Sequence, residues 1–255
     1  MPGRILAIAL NTFREAIRNR ILYLLLVFAV ALILCAQALS LMTVGSEEKI
    51  IKDFGLATID VFGVLTAVLL GIGLVSREIE RRTVYVLLSK PMHRAEFVLG
   101  KYLGLVLTLL VNTAVMAAVF AALLLAKGMA DPAIGVAIVM LYMEFLLITA
   151  LAIMFSCLSN PIISCILTLA LYVIGHLVWS LDLLRTRLDS AAAKAACTFL
   201  SHVLPNLAPF DVKGQVVQGV PVAAGSIAFA TAYLVLYGGA VLALACATFQ
   251  RKEMQ

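Results

Sequence analysis

The chain has 255 residues, of which 64% are hydrophobic and only 13% charged; a soluble domain averages about 45–50% apolar and about 25% charged residues, so the composition points to a membrane protein. A formal charge of +5 could suit nucleic acid, but in a membrane protein basic residues mark the cytoplasmic flanks of spans, and no nucleic-acid partner is expected. Five cysteines without a CxxC pair support neither a zinc site nor a disulfide framework.

Residues 3–20 predict an amphipathic helix. Ile5, Leu6, Ala9, Leu10, Phe13, Ala16 and Ile17 share one side, and Arg4, Asn11, Arg14, Glu15 and Arg18 the other. Such a helix lies in the inner membrane interface and feeds the first span. A bilayer core needs roughly 20 apolar residues as helix. Six runs qualify, near 21–42, 56–75, 102–126, 133–157, 162–181 and 223–249. Unpaired backbone groups are too costly in lipid for anything but helices once the alternating barrel pattern is absent. The expected fold is an all-α, six-span membrane protein, with residues 1–255 forming one transmembrane domain.

Orientation follows from the basic residues. Arg4, Arg14, Arg18 and Arg20, then Arg77, Arg81, Arg82, Lys90, Arg94 and Lys101, then Arg251 and Lys252 fall on one side. They outnumber Lys49, Lys52, Lys127, Arg185, Arg187, Lys194 and Lys213 on the other. Both termini are therefore expected in the cytoplasm, in an inner membrane, with residues 182–222 outside. That outer connection suits short helices over 182–200 and is then broken by Pro205, Pro209 and Gly214. It is long enough for a cap, a re-entrant pair or a docking surface for an extracytoplasmic partner.

Neither GxxxxGK[ST], HExxH nor a serine nucleophile elbow occurs, so the chain is not expected to be an enzyme or to bind a cofactor. Ionisable residues inside spans are functional candidates by default. There are three: Asp60, Glu144 and His176. Asp60 could reach the outer interface. Glu144 could contact substrate or a proton, or pair structurally across helices. His176, near Trp179, could be an interfacial anchor or a metal ligand. Met140, Met143, Met154 and Cys157 are soft ligands on the fourth span, but methionine is also common apolar filler.

The cytoplasmic segment 77–101 is the most patterned. Residues 77–89 suit a short helix with Val84, Leu87 and Leu88 left apolar and Glu78 and Glu80 near its start. Pro91 ends it, and a second helix restarts near Arg94. This hairpin is too charged for lipid and too apolar for a free loop. It reads as a docking element in the helix-in-groove mode, or as a solvated connection.

"REIERRTVYVLLSKPMHRAEFVLGKYLG" resembles the segment between the second and third spans of ABC-2-type permeases, the membrane subunits of ATP-binding-cassette transporters. Glu78, Thr83, Leu87, Leu88, Pro91, Arg94, Phe97, Gly100 and Lys101 match; Arg82 replaces the glycine that commonly precedes the threonine. "LPNLAPFD" (204–211) is similar to the outer connection of nitrous-oxide-reductase maturation permeases. The resemblance implies a homodimer with one ATPase subunit docked on each cytoplasmic hairpin, and ATP and magnesium on that partner. Val84, Leu87 and Leu88 would fill the ATPase groove, Arg81 and Arg82 would contact its rim, and Pro91 and Arg94 would shape the turn. Two alternatives stand beside a solute pathway: a force-transmitting anchor acting on an outer partner, and an autonomous channel or secondary transporter.

Overall fold

The structure is a computed structural model that describes residues 2–40, 47–80, 94–187 and 191–251. In chain order, α1 spans Pro2–Ile17, α2 Arg20–Ser40, α3 Glu47–Glu80, α4 Arg94–Ala126, α5 Ala133–Leu158, α6 Pro161–Arg187 and α7 Ala191–Val203. A 3-10 turn Ala208–Phe210 and a short α8, Lys213–Val217, follow. The last span is α9, Ala224–Tyr233, a π turn Leu234–Gly238, and α10, Gly239–Arg251. The described residues contain no strand. Six of the described stretches are long and apolar enough to cross a membrane. The chain is an all-α polytopic membrane protein. With six crossings, α10 returns to the face at which α2 begins.

Breakers sit where helices start or stop. Pro132 immediately precedes α5 and Pro161 opens α6, positions where a missing N–H costs nothing. The α4 end is closed by Gly128 at φ 68, with Met129 N–H donating to the Leu124 carbonyl and Gly128 N–H to that of Leu125. A left-handed residue is needed there, and glycine adopts it without strain. Asn19 Oδ1 accepts the Ile21 N–H at 3.0 Å, turning the chain from α1 into α2.

The core sits on α3 and α5. α5 is apolar all round, as a central helix must be, and it meets α3, α4, α6 and α10. Leu56, Ile59, Phe120, Phe145, Ile148 and Leu151 lie in one buried cluster. By contrast, about a fifth of the apolar windows of α2, α6 and the last span is buried (22%, 22% and 17%), so these helices present their apolar surface outward.

α3 begins nine residues before the sequence boundary. Lys52, counted by sequence among the residues flanking the spans, is buried, 2.6 Å from Glu48 and 2.9 Å from Asp131. Asp131 also accepts the Ala133 N–H at 2.9 Å. The Lys52 ammonium, and then that N–H, hold its carboxyl below the usual carboxylate range. A depressed carboxylate contributes stability that is complete above its unfolded value, about 3.9, and is lost as pH falls through its lower folded value. Thermal unfolding from pH 6 downward should therefore show an acid-dependent loss below about pH 4 that Asp131→Asn reduces. Identical acid slopes in the two proteins would refute this tether.

α1 does not simply float on the membrane. It packs along the start of α4, burying Ala9, Thr12 and Ala16. The amphipathic side splits: these small residues face α4, while Leu6 and Leu10 stay exposed, at 58% and 41%. Close approach depends on Gly100 and Gly104. A Cβ on Gly104 would lie 2.6 Å from the Ala9 carbonyl oxygen, and one on Gly100 2.7 Å from Ile8. Between them Lys101 is only 2% exposed, with Glu15 at 3.6 Å and the Phe97 ring 5.8 Å beneath its ammonium. Gly100 and Lys101, placed by sequence at the end of the cytoplasmic hairpin, thus lie within α4 against α1.

Candidate functional site

Asp60 lies on α3, Glu144 on α5 and His176 on α6, and the fold draws all three into one cluster, with His176 half-buried. Asp60 is 2% exposed and Glu144 fully buried. Asp60 sits thirteen residues after the start of α3, about 20 Å along its axis at 1.5 Å per residue.

Glu144 Oε1 lies 3.4 Å from His176 Nε2. His176 Nδ1 is 3.1 Å from the Tyr172 carbonyl oxygen one turn back. A carbonyl only accepts, so that hydrogen bond assigns a proton to Nδ1. Nε2 then faces the Glu144 carboxyl, but neither Nε2 nor either Glu144 oxygen completes a hydrogen bond among the described residues. The pairing gives His176 an interior partner, where the sequence left an interfacial anchor or a metal ligand open.

Asp60 is held from two directions. Tyr172 Oη donates to Asp60 Oδ2 at 3.2 Å, and Lys213 Nζ forms an ion pair with the same oxygen. Asp211 Oδ1 is 3.7 Å from Lys213 at the more exposed rim. Burial pushes the Lys213 ammonium down, but the facing Asp60 carboxylate, then Asp211 and Glu144, outweigh it and hold the group above its ordinary value. Tyr172 therefore touches both halves of the cluster, through its hydroxyl and through its carbonyl.

Lys213 comes from the connection between α6 and the last span, expected to form a cap, a re-entrant pair or a docking surface. Its Leu207, Phe210, Val212 and Val216 are buried in the same core as α3 and α5. Gly175 on α6 makes room: a Cβ there would lie 2.8 Å from the Leu207 side chain and 2.9 Å from the Pro205 carbonyl oxygen. The last span grips the segment from the other side. Asn206 N–H donates to Tyr233 Oη at 2.9 Å, and Tyr237 Oη donates to the Val203 carbonyl at 3.1 Å. These two tyrosines stack at 5.3 Å, Tyr233 just before the π turn and Tyr237 within it, a feature frequent at functional sites. This connection is thus a plug seated among α3, α5, α6 and α9.

Comparison with protein families decides what kind of protein carries this arrangement. The model of the ABC-2 family transporter protein matches residues 6–254, from α1 through the last span. The chain belongs to the ABC-2 transporter family. No curated protein matches it. In this ABC-2 transporter protein, α3 runs on to Glu80 and α4 restarts at Arg94, flanking the segment expected to dock an ATPase. Arg81, Arg82, Thr83, Val84, Leu87, Leu88 and Pro91 lie outside the described residues, as do the side chains of Glu78 and Arg94. Met140 and Cys157 are buried in the helix core, with Met143 and Met154 packed against it, and the described residues hold no group of three or more His, Cys, Asp or Glu fit to bind a metal.

Sequence reasoning found the three intramembrane groups but missed Lys213 and Tyr172. It also missed Asn112, whose Nδ2 lies 3.4 Å from Thr66 Oγ1 between α4 and α3. A lone asparagine inside an apolar run was itself a readable signal.

Proposed function

We propose that this protein is the permease subunit of an ATP-binding-cassette transporter that acts as a homodimer, with both termini in the cytoplasm of an inner membrane. ATP and magnesium belong to a separate ATPase chain; this chain contributes no catalytic group. The observation that carries the reading is the family match over residues 6–254. The sequence of residues 78–94 supports the docking role within it. Val84, Leu87 and Leu88 fill the ATPase groove, Arg81 and Arg82 meet its rim, and Glu78, Thr83, Pro91 and Arg94 shape the element. Closure of two ATPases would pull this segment, and α3 and α4 would carry the movement to the core.

Leu87→Glu with Leu88→Glu is the direct test. The double variant should retain the membrane fold but lose co-purification of the ATPase and coupled ATP turnover. Unchanged co-purification and turnover would reject the docking assignment.

A second reading is favoured by the seated plug. Since residues 203–217 are locked to α3, α5, α6 and α9, movement of the spans would be delivered to the outer connection, and so to an extracytoplasmic partner. The similarity of "LPNLAPFD" to nitrous-oxide-reductase maturation permeases supports this force-transmitting role. A polar cavity on the dimer axis would favour solute translocation; a sealed apolar axis would favour force transmission.

A further inference from the structure

At the corner between α1 and α2 lies a cavity of about 720 Å³, within the range of small-molecule sites, about 300–1,000 Å³. Arg14, Arg18 and Arg20 line it together with Asn11, while Ile21 and Leu74 form its apolar side. None of the three arginines is in an ion pair among the described residues. The carboxylate that also lines the cavity, Glu15, faces Lys101 at 3.6 Å. Asn19 at the rim already has its side-chain oxygen engaged by the Ile21 N–H. All three are exposed, and three guanidiniums around one open space create a positive potential that attracts an anion.

The position identifies the anion. The apolar stretch of α2 starts at Arg20 and that of α3 ends at Leu74. The cavity therefore straddles the level where hydrocarbon gives way to headgroups, with charge on one side and apolar wall on the other. Guanidiniums grip phosphate oxygens through paired N–H groups, and basic pockets at this depth bind anionic headgroups. We propose that the cavity binds the phosphate of an anionic phospholipid, the headgroup held by Arg14, Arg18 and Arg20 and its chains running down past the exposed Ile21. The site pins the α1–α2 corner to the bilayer.

The test uses the full chain purified in detergent, with thermal unfolding followed as phosphatidylglycerol, phosphatidylcholine of the same acyl chains, or sodium phosphate is added. Phosphatidylglycerol should raise the midpoint and phosphatidylcholine should not. Removing one arginine near a charged headgroup should weaken apparent affinity about fivefold, so Arg18→Gln with Arg20→Gln should weaken it roughly 30-fold. Lys127→Gln with Lys194→Gln, which removes the same charge from exposed positions on the opposite face, should leave it unchanged. If the double arginine variant does not fold, the single Arg18→Gln must still show the about fivefold loss. Equal effects of the two lipids, or a phosphatidylglycerol response that the arginine variants retain, would overturn the site. A response to inorganic phosphate alone that the variants abolish would overturn the lipid and leave a soluble anion as the occupant.

Discussion

Lys213→Ala should destabilise the protein by about 3–5 kcal/mol, the usual effect of removing one partner from a buried ion pair. Asp60 is 2% exposed on α3, and Lys213 is the cation that neutralises it. With the lysine gone, the Tyr172 hydroxyl at 3.2 Å is the hydrogen-bond donor left to Asp60. The carboxylate must then stay charged in an apolar interior or take up a proton, and either course is unfavourable. The wild-type pair is fully formed at neutral pH. A lysine held above its ordinary value contributes stability that is complete below the unfolded value, about 10.4, and fades only as pH rises through the folded one. Neutralising both partners should behave differently. Lys213→Met with Asp60→Asn keeps the volume and removes both charges, so most of the lost stability should return. Thermal unfolding of the three variants in detergent measures the cycle. A Lys213→Ala protein within about 1 kcal/mol of wild type would mean that the pair is solvated and does not hold the plug.

The same pair bears on function, because it joins a segment outside the spans to the helix that leads to residues 81–93. α3 carries Asp60 near its middle and runs to Glu80. A rotation of α3 that moves Asp60 must either drag Lys213 or break the pair. On the proposed reading, ATPase closure is felt at the outer connection through this contact. Uncoupling without unfolding is therefore expected of Lys213→Met with Asp60→Asn, if the stability cycle closes as above.

The six spans were legible because runs of about 20 apolar residues have few other uses. Asp60, Glu144 and His176 were each legible because a charge in such a run is costly and so conspicuous. Their meeting was not. It joins positions on three helices, and nothing in local periodicity encodes which faces of α3, α5 and α6 turn together. Lys213 was hidden for a different reason. Pro205, Pro209 and Gly214 break helical periodicity, so the segment read as outer loop, while its burial rests on Leu207, Phe210, Val212 and Val216 packing on distant helices. The start of α3 was obscured by Lys52, whose charge is neutralised by Glu48 and Asp131; one of those partners is close in sequence and the other is far. For α1 the amphipathic pattern was visible, but alanine and leucine count alike as apolar. Only the packing separates the small residues that touch α4 from the leucines that face outward.

That small-residue contact makes the second large prediction. Gly100→Ala with Gly104→Ala adds only two methyl groups, yet it should cost roughly 2–6 kcal/mol, at about 1–3 for each overpacked site. The Gly104 methyl would sit 2.6 Å from a backbone oxygen, that of Ala9, and also 2.6 Å from Thr12 Cβ. A backbone atom cannot rotate aside, so α1 must lift. Gly73→Ala is the control. Nothing lies within 4 Å of a Cβ there, and alanine is the better helix former by about 1 kcal/mol, so the same chemical change should be neutral or stabilising. Hydrogen exchange over residues 5–17 should rise in the double variant and stay low in the control. Lifting α1 would also uncover Lys101, which is 2% exposed in the wild type, and would move Arg14 and Arg18 away from Leu74. The double variant should therefore lose the phosphatidylglycerol response along with the helix contact. A protected α1 in Gly100→Ala with Gly104→Ala would show that the two helices are not held at the distance the structure gives, and the headgroup site would lose its support on that side.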